Sequence, residues 1–224
     1  DYKYEVTTNS TGKVVYRSSN TAVAEPDQFG YITIKKAGSC TITARVAADA
    51  NYKSASAGYQ LVVSKKDMTK KKVKLSKTSY IYAGKNCKPK AVVSGLARSD
   101  YKVTYKNADK PGTAICVITG KGNYSGKIEV PYSINLAKTV ITKITNKKSG
   151  VSLTWKKVAG AKGYRIYRRT KNGSWKRIRE LTSGKKVSFT DKTAKSGKTY
   201  EYRVRAKCNK TYGSYSKKIK LKKK

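Results

Sequence analysis

Between Gly150 and Ala206 the chain alternates apolar and polar residues in short runs, and this alternation narrows the possible folds more than any other feature. Val151-Ser152-Leu153-Thr154-Trp155, Gly163-Tyr164-Arg165-Ile166-Tyr167-Arg168 and Thr199-Tyr200-Glu201-Tyr202-Arg203-Val204-Arg205-Ala206 all show it, separated by turns rich in Gly, Asn and Lys. A period of two over short runs marks half-buried strands. One face of each strand feeds a core, while the other, loaded with Lys and Arg, meets water. Helical spacing never persists, so almost no helix is expected. The predicted fold class is all-β, with small sandwiches in series.

The spacing of the strands divides the 224 residues into three modules, 1–64, 73–136 and 137–224. Small all-β modules of this size can each bury a modest core. Charge distinguishes them. The chain carries 52 Lys and Arg against 12 Asp and Glu, a formal net of +40, and no His. Residues 1–64 have a net charge of +2, residues 65–136 of +12 and residues 137–224 of +26. A nearly neutral tip therefore leads into an increasingly basic tail. Such a field attracts polyanions. Lys on solvent faces also keeps strands soluble and guards sheet edges, so the charge by itself does not establish a partner.

Cys40, Cys87, Cys116 and Cys208 form no CxxC pair, and without His beside them no structural zinc site is expected. Cys40 shares parity with Ile42 and Ala44, and Cys208 with Tyr202, Val204 and Ala206, so both read as small buried hydrophobes. Cys87 and Cys116 lie in one module and could meet across its core. A disulfide is one reading and two free buried thiols the other. No apolar run reaches the length of a membrane span, and there is no signal peptide. The abrupt start at Asp1-Tyr2-Lys3-Tyr4, close to a strand, reads as a portion excised from a longer protein.

Two stretches of the first module carry a resemblance: Tyr16-Arg17-Ser18-Ser19-Asn20-Thr21-Ala22-Val23-Ala24, and Gly30 through Ala44 with its Ala37-Gly38 turn. They resemble the bacterial Ig-like group 2 repeat. Ser18, Ser19 and Asn20 can bond nearby backbone and hold a bend, leaving Val23 to enter the core. Lys65 to Lys74 is basic, and its composition suits a short open joint. In the second module, Asp100-Tyr101-Lys102-Val103-Thr104-Tyr105-Lys106-Asn107 and Gly112-Thr113-Ala114 through Gly120-Lys121-Gly122-Asn123-Tyr124-Ser125-Gly126 resemble a second bacterial Ig-like repeat. Tyr124 is expected to pack back on its sandwich, and Pro131 to mark an edge strand or bulge. The third module resembles a fibronectin type III domain: Trp155 in the second strand, Tyr164 to Arg168 as the third and Lys198 to Ala206 as the sixth. Trp155 and Tyr202 then belong to the core, and Tyr200 to a tyrosine corner. The resemblances together imply three tandem immunoglobulin-like sandwiches in an extended arrangement, as in secreted or cell-surface proteins of Gram-positive gut anaerobes.

Catalysis is not expected. Without His, Ser-His-Asp and Cys-His arrangements are excluded. Asp1, Asp27 and Asp49 follow no calcium-loop spacing, although Glu25, Asp27 and Asp49 could gather at one end of the first sandwich as a weak cation site. The glycines at 120, 122 and 126 lack the Lys-Ser/Thr ending of a phosphate loop. No cofactor, metal or small-molecule substrate is anticipated.

Binding is the better prospect. Arg165, Arg168, Arg169, Trp175, Lys176, Arg177, Arg203 and Arg205 cluster in the third module. Arg165, Arg203 and Arg205 fall on outward faces of strands that neighbour one another in this fold. With an exposed Trp175 they make a basic face suited to a phosphate or carboxylate polymer or to a sugar ring. Alternatively, Trp175 covers the sandwich edge and the arginines only keep the face wet. The resemblances imply an extracellular stalk or adhesion segment, secreted or wall-associated, whose basic tail meets an anionic cell-wall polymer or acidic glycan. Nucleic acid would be held only nonspecifically. A host surface protein as specific partner, or service as the accessory tail of an exported cell-wall or glycan hydrolase, are the alternatives.

Overall fold

The computed structural model describes residues 2–224; Asp1, and with it the first carboxylate weighed for calcium, lies outside the described residues. Every regular element among them is a strand, apart from a 3-10 turn at Arg98–Asp100. Among the described residues no helix is long and apolar enough to cross a membrane. The described residues divide into two compact units: those up to Lys72 with Val93–Val103 and Ile118–Ile128, and Val73–Val92 with Thr104–Val117 and Glu129–Lys224.

In the first unit, strands β1 (Tyr2–Lys3), β2 (Val14–Ser18), β3 (Ala24–Pro26), β4 (Tyr31–Ile34), β5 (Gly38–Val46) and β6 (Ala55–Val63) build two sheets, ordered β1-β4-β3 and β2-β5-β6. Val23, Ala24, Ile32, Cys40 and Ile42 form the buried centre, with Tyr4, Tyr59, Leu61 and Val63 packed against it. The serine-rich bend is held as its residues suggest. Ser18 Oγ accepts from Asn20 N at 3.1 Å, Asn20 Oδ1 from Ala22 N at 3.2 Å and Ser19 Oγ from Thr41 N at 2.8 Å. Val23 is buried as a result.

Eight strands follow: β7 (Lys66–Asp67), β8 (Val73–Leu75), β9 (Ser79–Ile81), β10 (Ala91–Val93), β11 (Tyr101–Lys106), β12 (Gly112–Gly120), β13 (Tyr124–Ser125) and β14 (Lys127–Asn135). Here the expected open joint is corrected. Within the first unit β7 pairs in parallel with β13, Lys66 N donating to Asn123 O at 2.8 Å and Met68 N to Ser125 O at 3.0 Å. Met68, the one apolar side chain of the joint before Val73, is fully buried. Asn123 Oδ1 also accepts from Ala37 N at 2.8 Å. Composition misled because one buried methionine and a few backbone bonds fasten a segment whose lysines all face water.

Gly126 makes that fastening possible. It sits at φ +93°, and a Cβ there would lie 2.7 Å from both Asp67 Oδ1 and Thr69 Cγ2. Gly126→Val is expected to cost about 1–3 kcal/mol of local stability through overpacking and strain. Brief trypsin digestion should then cut at Lys65 to Lys72 at least about five-fold faster than in the unaltered chain, since cleavage follows the population of the opened state. Equal cleavage rates would mean that the joint is not held by this contact.

Tyr124 does not enter a core. It is half-buried, and its residue lines a cleft of about 190 Å³ with Ile34, Ala37, Val63 and Lys66. Pro131 lies in β14, which has a strand on either side in the order β11-β12-β14-β9. Its neighbour β9 pairs only with Ser133 to Asn135, so no ladder bond to β9 is lost at the proline. Cys87 and Cys116 are both buried free thiols, which sets the disulfide reading aside. The Cys87 thiol faces Lys85 O at 3.6 Å, while its carbonyl accepts from Tyr132 Oη at 2.6 Å.

The C-terminal strands are β15 (Ile141–Lys147), β16 (Gly150–Trp155), β17 (Gly163–Thr170), β18 (Lys176–Leu181), β19 (Ser188–Asp191), β20 (Thr199–Cys208), β21 (Thr211–Tyr212) and β22 (Ile219–Lys222). They form a sheet β15-β16-β19 and a second sheet β18-β17-β20-β21, in which β22 also pairs with β20. Between the two lie Val151, Leu153, Trp155, Tyr164, Ile166, Tyr202, Val204 and Ala206, all buried. Trp155 fills the centre, its ring 5.2 Å from that of Tyr164. Tyr200 is buried too, and its hydroxyl accepts from Lys195 N at 3.2 Å, the upstream backbone contact expected of a tyrosine corner.

Candidate functional site

The outward face of the second C-terminal sheet follows from strand parity. In β20 Tyr200, Tyr202, Val204 and Ala206 point inward, which turns Glu201, Arg203, Arg205 and Lys207 outward. Across the ladder, Arg165 stands opposite Arg205, Tyr167 opposite Arg203 and Arg169 opposite Glu201. Two arginines directly opposed on one face should repel. Tyr212 relieves this, its ring 4.6 Å from the Arg165 guanidinium and 4.3 Å from that of Arg205.

The interleaving continues along the sheet. Arg205 also lies 4.7 Å from Tyr215; Arg203 lies 3.7 Å from Tyr215 and 4.3 Å from Trp175; Arg169 lies 4.8 Å from Trp175. Cation and ring thus alternate in the order Arg165, Tyr212, Arg205, Tyr215, Arg203, Trp175, Arg169. Each contact contributes about 0.5–2 kcal/mol depending on how dry it is. The Nε–H groups of Arg203 and Arg205 are buried with no hydrogen-bond acceptor, so these arginines meet rings where a carboxylate would otherwise sit. Trp175 is half-buried between two guanidiniums, not the free-standing exposed ring expected.

Carboxylates anchor the margins of this ladder. Glu180 accepts from Arg165 Nε at 2.8 Å, from Arg177 Nη1 at 3.0 Å and from Lys207 Nζ. Glu201 accepts from Arg169 Nε at 2.6 Å and pairs with Lys218 at 3.0 Å. Hydrogen bonds from Lys207 and Arg165 hold the Glu180 carboxyl below the usual glutamate range, and those from Arg169 and Lys218 do the same for Glu201. Burial raises the Tyr167 phenol, but the hydrogen bond with Tyr215 and the charge of Arg205 outweigh it and bring the group below its ordinary value. Tyr215 is raised, by burial and then by the same hydrogen bond.

The eight residues anticipated from sequence therefore do not all share one surface. Arg165, Arg169, Trp175, Arg203 and Arg205 form the ladder, and Arg177 joins it through Glu180. Arg168 has the inward parity of Tyr164 and Ile166. Its Nη1 donates to Asp191 Oδ2 at 2.7 Å and to Thr193 Oγ1 at 2.9 Å, and its guanidinium lies 4.6 Å from the Tyr200 ring. Tyr202 Oη donates to the same Asp191 oxygen at 2.8 Å. Lys176 is exposed at the start of β18. Arg168 and Lys176, with Arg169 from the end of the ladder, line a cleft of about 460 Å³ at the β17–β18 hairpin.

Tyr167, Tyr212 and Tyr215 were missed as site residues. The outward parity of Tyr167, between Arg165 and Arg169, was a signal for the first; Tyr212 and Tyr215 lie around a turn whose direction no periodicity reveals. In the first unit, Glu25 pairs with Lys35, Asp27 caps Phe29 N and Tyr31 N, and Asp49 accepts from Ser10, Thr11, Asn51 and Tyr52. Asp27 is thus held by its own turn, Glu25 by Lys35, and Asp49 both by its own turn and by Ser10 and Thr11. Among the described residues no group of three or more His, Cys, Asp or Glu comes together.

Residues 7–49 match the family described as intimin, immunoglobulin-like domain. No curated protein matches. Similar solved structures include one titled "Structure of FN3tt mut", at 18% identity over 39% of this chain and 94% of that chain, with a TM-score of 0.33. Pectate lyase PelI from Erwinia chrysanthemi in complex with tetragalacturonic acid is 22% identical over 38% of this chain and 28% of that chain, with a TM-score of 0.34. The chicken CNTN1 FN1–FN3 domains are 14% identical over 83% of this chain and 78% of that chain, with a TM-score of 0.36. The resemblance of the N-terminal residues thus stands at the level of an immunoglobulin-like domain, within an all-β chain of several small β-sheet modules.

Proposed function

We propose that this chain is a non-catalytic stalk and adhesion segment of a secreted or wall-attached bacterial protein, whose basic C-terminal part associates with an anionic cell-wall polymer or acidic glycan. In this reading residues 1–64 and 73–136 are Ig-like modules related to the group 2 repeat, and residues 137–224 a fibronectin type III module. The resemblance to such repeats in Gram-positive gut anaerobes supports the setting. The observation that carries the binding reading is the ladder of alternating guanidiniums and rings, with the three carboxylates of residues 137–224, Glu180, Asp191 and Glu201, already held by Arg165, Arg168 and Arg169. The large remaining excess of Lys and Arg has no acidic counterpart within that stretch. An external polyanion would neutralise it. The ladder holds its arginines in place before any ligand arrives, which lowers the ordering cost of binding.

The test is retention of the full chain on polygalacturonate, poly(glycerol phosphate), mucin and heparin between 50 and 500 mM salt, a range over which the Debye length shortens about three-fold. Retention on acidic polymers that falls with salt, and is weakened by Arg203→Ala with Arg205→Ala in a folded chain, is the expected result. A salt-insensitive, stoichiometric complex with one host protein would replace this reading, because interfaces built on packed anchors depend little on screening.

A further inference from the structure

Lys176 poses a question that the ladder does not answer. It is exposed and has no ion-pair or hydrogen-bond partner among the described residues, yet it helps line the cleft of about 460 Å³ at the end of the β17–β18 hairpin. Its other walls include Arg168, Arg169, Thr170, Ser174, the apolar Ile178 and Tyr200. Three cationic residues thus line one concavity. Two are partly satisfied: Arg168 by Asp191 and Thr193, and Arg169, through Nε, by Glu201. Glu201 is also shared with Lys218, so four positive groups meet two carboxylates here and leave a local positive excess. The hydroxyls of Thr170 and Ser174 supply neutral hydrogen-bonding groups beside it. Arg169 also belongs to the ladder, since its guanidinium lies 4.8 Å from the Trp175 ring. The cleft therefore begins where the ladder ends.

We propose that this hairpin cleft is an oxyanion subsite. It receives one oxyanion, a carboxylate or a phosphodiester, carried on a polyhydroxylated chain that lies along the ladder. The inference rests on the polymer-binding reading above and deepens it by naming where a charged substituent is recognised. Charge sets the preference. A local positive excess favours a chain that carries an anionic group over a neutral one. Lys176 acts as the free point charge, the unused Nη groups of Arg169 as a directional donor pair, and the two hydroxyls as contacts for the chain itself. The ladder gives attraction along a polymer, and the cleft gives discrimination between a chain that bears a pendant anion and one that does not.

The experiment uses the full chain and fluorescein-labelled polygalacturonate, poly(glycerol phosphate) and neutral dextran, read by anisotropy at 150 mM salt. Lys176→Ala should weaken binding of an acidic polymer about ten-fold, the loss of one charge-assisted contact. Lys143→Ala removes the same charge from exposed β15, on the other sheet, and should change binding less than about two-fold. Ser174→Trp fills the cleft without altering charge and should reproduce the Lys176→Ala loss. Free galacturonate or dimethyl phosphate should compete, according to which anion is read, and galactose should not. If Lys176→Ala and Ser174→Trp both stay within two-fold of Lys143→Ala while the unaltered chain still binds, the subsite is refuted and the ladder reading survives. If the unaltered chain binds no acidic polymer, both fall.

Discussion

Trp155→Ala is expected to destabilise the C-terminal sandwich by about 3–5 kcal/mol, enough to leave it partly unfolded at ambient temperature. The indole is 2% exposed, packs 5.2 Å from the Tyr164 ring and stands among side chains from both sheets. Truncation removes the transfer free energy of the ring and leaves a cavity that neighbours locked in two ladders cannot close. Trp155→Phe keeps most of the volume and also deletes the indole Nε1–H, which is buried without an acceptor, so its cost should be clearly smaller. Urea unfolding followed by near-ultraviolet circular dichroism separates the two variants. A loss below about 1 kcal/mol for Trp155→Ala would mean that the ring does not centre this core.

Asp191→Ala should cost a similar amount, about 3–5 kcal/mol, for a different reason. The carboxylate is 2% exposed and accepts from Arg168, Tyr202, Thr193 N and Thr193 Oγ1. Removing it strands the Arg168 guanidinium and the buried Tyr202 hydroxyl. The same network predicts a pH dependence. Burial raises the Asp191 carboxyl, but hydrogen bonds from Thr193, Tyr202 and Arg168 outweigh this and leave it below its ordinary value of 3.8. Glu180 and Glu201 lie below 4.5 through their basic partners. Folded-state values depressed in this way stabilise the fold fully above the unfolded values, and that contribution is lost as pH falls through the folded ones. The melting temperature should therefore be flat from about pH 7 to 5 and fall below about 4.5. Asp191→Asn should start lower and fall less. A melting temperature that rises on acidification would contradict the assignment.

How much of this was written in the sequence depended on whether a residue's role was local. Parity along Tyr200 to Ala206 placed Tyr202 and Val204 inward and Arg203 and Arg205 outward, and the structure agrees because a strand has only two faces. Parity also placed Arg168 inward, but its long side chain and charge made it look like a surface group. Only the tertiary position of Asp191 shows what it pairs with. Tyr212 and Tyr215 become part of the ladder because the chain folds back after β20, which no short-range pattern encodes. The joint from Lys65 to Lys74 was misread for a related reason. Composition reports solvent preference, whereas Met68 is held by a parallel pairing with residues far along the chain.

The most direct test of the polymer-binding account follows the two indole Nε1–H resonances of the full chain by NMR while polygalacturonate is added at 150 mM salt. Trp175, between Arg169 and Arg203, should shift progressively with polymer, and Trp155, buried in the core, should not move. Polymer binding that leaves Trp175 unshifted would place the contact elsewhere on the basic surface and contradict the ladder as the site.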